Sequence, residues 1–358
     1  MPEPPTTRVL RLERAAALRD ADELEAAASE YRALAADDPA DAEPLHHLGG
    51  VLARQGALEE AEHCYRRAMA LAPEAMVTQR ALAILLLSQG RFSEGFRLFE
   101  ARHEMAQYAK PDLPYAEWRG EPLADKRLLI WPEQGFGDQI QFARFAAVAR
   151  AQGAEVTLMC WPALQRLFAS SLGVQVIAAE GAVEFPDPDY WVMTMSLAHR
   201  FGATPQTLPS EPYLFAPRPQ ARTTGSRRRV GLVTRGSATF AANHLRSLDQ
   251  GGEAALRALP SEVVGLTPEE TGAQDFADTA DIIAGLDLVI STDTSVAHLA
   301  GAMGKPCWVL LPAAWVDWRW MRERRDSPWY PSMRLYRQTR PGDWNGVVEA
   351  VRRDFDRL

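Results

Sequence analysis

A 34-residue interval governs the first third of this 358-residue chain. Ala27, Ala61 and Gly95 fall on it, as do Tyr31, Tyr65 and Phe99, while Pro39 and Pro73, and Gly56 and Gly90, mark it once each. A chain that repeats at this spacing buries its apolar faces by stacking each unit on the next. The middle unit reads Leu45, Leu48-Gly49, Leu52, Gly56, Ala61, Tyr65, Ala68, Pro73. A small residue at Ala61 lets two antiparallel helices approach, and Tyr65 fills the gap to the next unit. Pro73 ends the second helix, because proline lacks an amide donor and clashes with the preceding turn. About three helical hairpins are predicted over 8–109. The first is degenerate, with Arg14-Ala15 where the second has Leu48-Gly49, as suits a capping unit.

These registered positions resemble the tetratricopeptide (TPR) repeat, a helix–turn–helix unit of this length. The resemblance implies a concave surface that holds an acceptor protein or peptide. The alternative is an array that only packs on its neighbours as a scaffold. His46 and His47 are adjacent, so on a helix they point apart, and they are read as ordinary surface residues.

Bulk properties narrow the function classes. The formal net charge is −8 and no basic stripe is present, which argues against a nucleic-acid partner. Cys64, Cys160 and Cys307 lack the spacing of a disulfide framework or metal site, which suggests a reducing compartment. No segment has signal-peptide character, and no run approaches the ~18 apolar residues of a membrane span. The expectation is a cytoplasmic protein.

Beyond the Pro-rich stretch near residue 110 the period changes. "RLLIW" (127–131) reads as a short buried strand, "QIQFARFAAVARAQG" as a helix ending at Gly153, and "EVTLMCW" and "VQVIAA" as further strands. Such alternation predicts a parallel sheet wrapped by helices. The stretch 217–228, inside "FAPRPQARTTGSRRR", has no periodicity and reads as a linker. A second alternation then runs from "VGLV" (230–233) to a closing amphipathic helix in "GDWNGVVEAVRRDFDRL". The expected fold class is α/β with an amino-terminal all-α array: one Rossmann-like lobe over 110–216, a second over 229–358, paired in the GT-B manner.

In open parallel sheets, ligands sit beyond the carboxyl ends of the strands. Two polar corners lie there. The first is "WPEQGFGDQIQF", in which Gly135 and Gly137 give a tight turn and close ligand approach, and Asp138 opens a helix. Ile140 stands where a dinucleotide fingerprint needs its third glycine, so that motif is rejected. Asp138 is read either as a helix cap, typically worth ~1 kcal/mol, or as a general base, worth roughly 10²–10⁴ in rate. The second corner is "VISTDTSVAHLAGAMGKP". There a strand stops at Asp293-Thr294, and the helix from Ser295 presents free amides to a phosphate or diphosphate. His298, one turn on, is placed to face the same cleft; the alternative on these residues alone is a capped helix carrying an ordinary hydrogen-bonded histidine.

Together "GFGD" and "DTSVAHLAGAMGKP" resemble bacterial heptosyltransferase-type glycosyltransferases of the GT-B fold. Most of the chain, including "WRGEPLADK", "FADTADIIAGLDLVIST", "WVDWRW" and "DSPWYP", resembles TPR repeats fused to such a transferase. Those proteins are distant relatives of protein O-GlcNAc transferases, and some of this architecture modify flagellin. The resemblance implies Asp138 as catalytic base and Asp293, Thr294 and His298 as the donor-binding set; Ser295 stands where the family has glycine and joins the set through its hydroxyl at the helix start. It also implies a diphosphate-binding segment after "VGLV". Arg246 and Ser247 persist in that segment, but Phe240 and Ala241 stand where polar or basic groups are expected. Arg235 or His244 would compensate, or the donor is of another kind, such as a monophosphate-linked sugar.

Five of ten tryptophans fall within 308–329, a cluster read as lobe-packing core or as sugar-stacking surface. Trp318 and Arg319 are the members expected to face the cleft, with Gln134, Gly135 and Gly137 opposite as acceptor candidates. Asp187-Pro188-Asp189 imitates a metal-binding Asp-x-Asp but sits in a proline turn. No metal or cofactor is expected beyond a nucleotide-sugar substrate. The function expected is sugar transfer to a hydroxyl, of a flagellin-like protein held by the repeats. The alternatives are a catalytically inactive adaptor and a transferase acting on a saccharide or lipid.

Overall fold

The computed structural model describes residues 7–219, 227–237 and 243–358. Phe240, Ala241 and most of the expected linker lie outside them. The chain divides into two compact units, Met1–Lys110 and Pro111–Leu358.

The first unit is an all-helical, TPR-like array. Its hairpins are α1 (Thr7–Asp20) with α2 (Leu24–Asp37), α3 (Ala42–Gln55) with α4 (Leu58–Leu71), and α5 (Met76–Ser88) with α6 (Phe92–Phe99). Two 3₁₀ turns, Glu100–Glu104 and Ala106–Tyr108, follow. The repeated positions make the contacts their sizes suggest. Ala27, Ala61 and Ala68 are fully buried, and the Tyr65 ring lies flat on Gly49, where a Cβ would stand 2.8 Å from its Cε1. Gly56 ends α3 at φ 83°, a left-handed conformation that glycine adopts without cost. Helix α4 stops at Leu71, two residues before Pro73. His46 and His47 are not simple surface residues. Tyr31 stacks on His47 at 5.4 Å, His47 meets His46 at 5.1 Å, and His46 meets Tyr65 at 5.9 Å. Burial holds the His46 imidazole at a pKa of about 4, and its Nδ1 lies 3.1 Å from the Thr78 hydroxyl.

The second unit is α/β and holds two parallel sheets. The first sheet is built from β1 (Arg127–Trp131), α7 (Phe136–Phe142), α8 (Arg144–Ala151), β2 (Glu155–Cys160), α9 (Pro162–Ser171), β3 (Gln175–Ala178), β4 (Tyr190–Met193) and α10 (Leu197–Arg200). Its strand order is β3-β2-β1-β4, with Leu128 registered on Val156 and on Tyr190. The second sheet comprises β5 (Arg229–Val233), α11 (Asn243–Arg246), α12 (Gln250–Arg257), β6 (Glu262–Gly265), α13 (Pro268–Thr271), α14 (Phe276–Ala284), β7 (Leu288–Thr292), α15 (Ser295–Ala302), β8 (Cys307–Leu311), β9 (Met333–Arg337) and α16 (Trp344–Phe355). The order there is β6-β5-β7-β8-β9, with Val230 registered on Leu288. Strands β7 and β8 are buried throughout, which is why they read as unbroken apolar runs.

Two arginines join the sheets' helices. Arg144 is buried and donates to the carbonyls of Gln141, Pro209 and Trp329, each at 2.8 Å. Its guanidinium also lies 4.8 Å from the ring centroids of Tyr213 and Tyr330. Arg166 on α9 pairs with Asp275 and Asp278 at the start of α14. The tryptophan cluster is mostly core: Trp308, Trp318, Trp320 and Trp329 are buried, whereas Trp315 is 69% exposed. Asp187 accepts from the Tyr115 hydroxyl, and Asp189 accepts from the Arg127 amide and so braces the start of β1. Among the described residues no group of three or more His, Cys, Asp or Glu could hold a metal ion, and no helix is long and apolar enough to cross a membrane.

Candidate functional site

In each sheet the strand order reverses beside a strand that feeds a polar corner: β1 between β2 and β4, and β7 beside β5. Those reversals open the crevices in which such sheets bind ligands. The corners meet because α7 packs on α15. A Cβ at Gly137 would stand 2.9 Å from His298 Cδ2, so glycine is required there by the imidazole. Neither Gly135 nor Gly137 has positive φ. The sharp turn expected of the glycines is made by Gln134 at φ 58°, held through its carbonyl, which accepts from Trp161 Nε1 at 2.8 Å. Left-handed backbone in a non-glycine residue is strained and gathers at functional sites.

Asp138 occupies the third position of α7, where its Oδ2 accepts from the Gly135 amide at 2.9 Å, a capping contact. Its Oδ1 is held by Arg319. Arg319 also donates to both Asp317 oxygens at 2.8 and 2.9 Å and to Gln141 Oε1. Burial raises the Asp138 pKa, with Arg319 opposing. Burial works against the Arg319 charge too, but Asp317 and Asp138 outweigh it and raise its pKa. Arg319 and Trp318, expected to face the cleft, are each 5% exposed, because the guanidinium turns inward to the carboxylates and stacks on Trp318 at 4.5 Å.

At the second corner Asp293 follows β7. Burial and then the Asp317 charge push its pKa up to about 6, while Arg246 and Arg319 pull the other way. The Trp320 indole faces this carboxylate without closing a hydrogen bond of normal geometry. Thr294 is the N-cap of α15, but its hydroxyl lies 3.0 Å from Ser291 Oγ, and no side chain caps the amides of the first turn. That leaves the start of α15, at Ser295, open to an oxyanion. His298 is buried between Trp320, stacked at 5.1 Å, and Tyr330, whose hydroxyl lies 3.0 Å from its Nδ1. Burial, then Arg319 and Arg144, lower its pKa well below the usual range, so the ring is neutral at pH 7.

The remaining expected residues are less convergent. Arg246 Nη1 donates to the Asp293 carbonyl at 2.8 Å and so reaches the corner. Ser247 turns its hydroxyl onto the Asn243 carbonyl at 2.8 Å. Arg235 is 57% exposed and pairs with Glu253 at 3.6 Å, and His244 is exposed. Gln134, Gln139 and Gln141 each keep a buried Nε2 donor without a partner among the described residues. Asp317 and Tyr330 belong to the site although the sequence did not single them out, and Trp320 joins them from the tryptophan cluster. The acid two residues before Arg319 in "WVDWRW" was the available signal for Asp317.

No family model matches the chain. A curated protein, Protein FlbA of Caulobacter vibrioides, is 28% identical over 331 residues, covering 77% of this chain and 55% of FlbA. The chain thus spans about half the length of that relative. Solved structures similar to it include the Yersinia enterocolitica type III secretion chaperone SycD in complex with a peptide of the translocator YopD, 22% identical with TM-score 0.27, covering 30% of this chain and 80% of that one. The TPR domain of P58(IPK) is 20% identical with TM-score 0.27, covering 30% of this chain and 29% of that one.

Proposed function

We propose that the chain is a metal-independent glycosyltransferase of the GT-B kind, moving a sugar from a nucleotide donor to a hydroxyl of a protein, flagellin-like in character, held by the TPR-like array. The observation that carries this reading is the packing of Gly137 on His298, which brings the Asp138 corner of one sheet against the Asp293 corner of the other. In this reading the donor's phosphates rest on the open start of α15, with Arg246 beside them. Amides and cations placed in advance at a leaving phosphate are usually the largest catalytic contribution. The unpartnered glutamine donors suit an oxygen-rich ligand. Asp138, its pKa raised by burial, would accept the acceptor's proton through a remaining lone pair.

The second reading, a binding adaptor without turnover, is favoured by one feature: both Asp138 oxygens are already engaged, by Gly135 and Arg319. A thermal-shift screen of nucleotides and nucleotide sugars separates the two. A donor at ~100 times its dissociation constant stabilises by about 2.7 kcal/mol. The expected result is a shift with one nucleotide class in wild type and in Asp138→Asn, lost in Asp293→Ala. Sugar transfer, followed by mass spectrometry of a candidate acceptor, should disappear in Asp138→Asn. Absence of any shift from a well-folded protein would move the reading to the adaptor.

A further inference from the structure

The carboxyl-terminal edge of the second sheet carries a feature separate from the corner site. A cavity of about 500 Å³ lies between β9, the turn at 323–325 and the last turns of α16. Arg324, Arg325, Arg334, Arg337, Arg353 and Arg357 line it, against Glu323 and Asp354. No residue of the corner site lines it. Six cations against two carboxylates leave the lining at +4 (6 − 2), in a chain whose net charge is −8.

The two lining acids do not neutralise it, and Asp326, outside the lining, offsets only Arg324. Asp354 already receives Arg334, Arg357 at 3.6 Å and the Tyr336 hydroxyl at 3.1 Å. Arg324 is occupied by Asp326 at 2.6 Å. Arg337 is half-buried and donates to the carbonyls of Arg324 at 3.1 Å and Trp320 at 2.5 Å, which fixes the floor. Arg325 and Arg353 form no side-chain hydrogen bond or ion pair with any described residue. Converging like charges oppose folding unless a counter-anion sits among them.

We infer that this cavity is a binding site for a compact small molecule carrying two or more phosphates. Guanidinium forks match phosphate oxygens two at a time. The volume is that of a small-molecule pocket, and the charges surround one concavity instead of running along a stripe as they would for a nucleic-acid strand. Ala350 borders the cavity, and Leu335 and Tyr336, both buried, back it from β9. The inference stands apart from the transferase reading, since no corner side chain lines the cavity and only the Trp320 carbonyl touches it, through Arg337.

Titration calorimetry in metal-free buffer at about 150 mM salt, where weak surface pairing is screened, tests it with inorganic triphosphate and ATP as probes. Wild type should bind at least one of them saturably at one equivalent. Affinity should be at least about tenfold weaker in Arg353→Glu and in the pair Arg325→Ala with Arg353→Ala, the loss of one charge-assisted contact or more. Both exposed arginines lack structural partners, so these variants should melt as wild type does. Arg246→Ala should leave binding unchanged. Equal affinity for the two probes would identify the phosphates alone as the recognised group, and a preference for ATP would add a nucleoside contact. The inference fails if neither probe binds, if the arginine variants bind undiminished, if Arg246→Ala abolishes binding, or if many equivalents bind without saturation.

Discussion

The Asp293 carboxylate sits in an environment at odds with its ordinary chemistry. Its folded pKa of about 6 lies above the ordinary value of 3.8. At neutral pH the folded state therefore carries a charge that the unfolded chain holds at lower cost. The sign follows from proton linkage: between about pH 4 and 6 the folded state binds the extra proton, so this group's contribution to stability improves as pH falls through 6. His298 acts oppositely, because its folded pKa is depressed and acid must charge a buried ring. Asp293→Asn isolates the first effect. The variant should be more stable than wild type at pH 8 by about 1–3 kcal/mol, discounted for partial exposure, with the difference vanishing below about pH 4. Melting temperatures of the two proteins across that range give the answer, and a difference independent of pH would refute the buried-charge account. Such a cost is tolerable where a site later meets a cation or a bound ligand, which is why perturbed carboxylates gather at functional sites.

At the scale of elements, three glycines that look alike in sequence do two different things. Gly49 and Gly137 are sites of close approach, where a Cβ would meet Tyr65 or His298 within 3 Å. Gly56 has open space around it and is needed only for its left-handed backbone. Gly56→Ala should cost about 1 kcal/mol, the conformational penalty alone. Gly49→Ala and Gly137→Ala should cost roughly 1–3 kcal/mol each through overpacking against held rings. Gly137→Ala should also abolish the nucleotide-dependent thermal shift, as it drives α7 off α15. Chemical denaturation of the three variants decides the order.

The same contrast explains what could be read from the sequence. The hairpins were legible because their contacts recur at a fixed interval, and β7 and β8 because strands buried on both faces leave unbroken apolar runs. The corner residues were legible as corners. Their chemistry was less so, since Arg319 reaches Asp138 across 181 positions and nothing in either local stretch announces the pairing. For the same reason Trp318 was read as facing the cleft, whereas it lies beneath the guanidinium. The histidines of α3 were underestimated because only the packed array aligns them with Tyr31 and Tyr65.

For the whole molecule, the two arginines that link the sheets of the second unit are unequal. Arg166 is 41% exposed with its partners in reach of water, and pairs of that kind are worth ~0.2–1 kcal/mol. Arg144 is buried, with its donors committed to the backbone carbonyls of Trp329, which is buried, and Pro209, which is half-buried. Removing it leaves those acceptors unsatisfied at about 1–3 kcal/mol each. Arg144→Met should therefore destabilise the unit by about 3–5 kcal/mol, and Arg166→Ala by less than about 1 kcal/mol. Urea unfolding followed by tryptophan fluorescence measures both, since Trp329 contacts Arg144 directly.

The strand order also sets a timetable. Helix α2 meets α1 and α3, its neighbours along the chain, so the array can close as soon as it is made. Strand β5 must wait for β7, since Val230 pairs with Leu288 some 58 residues later. Local contacts form in microseconds to milliseconds, and parallel pairings across such loops take longer. During synthesis the repeats are therefore complete while β5 still waits for β7 and, earlier, while β1 waits for β4, since Leu128 pairs with Tyr190 some 62 residues later; the two parallel sheets are the stages at which a nascent chain is most exposed to aggregation.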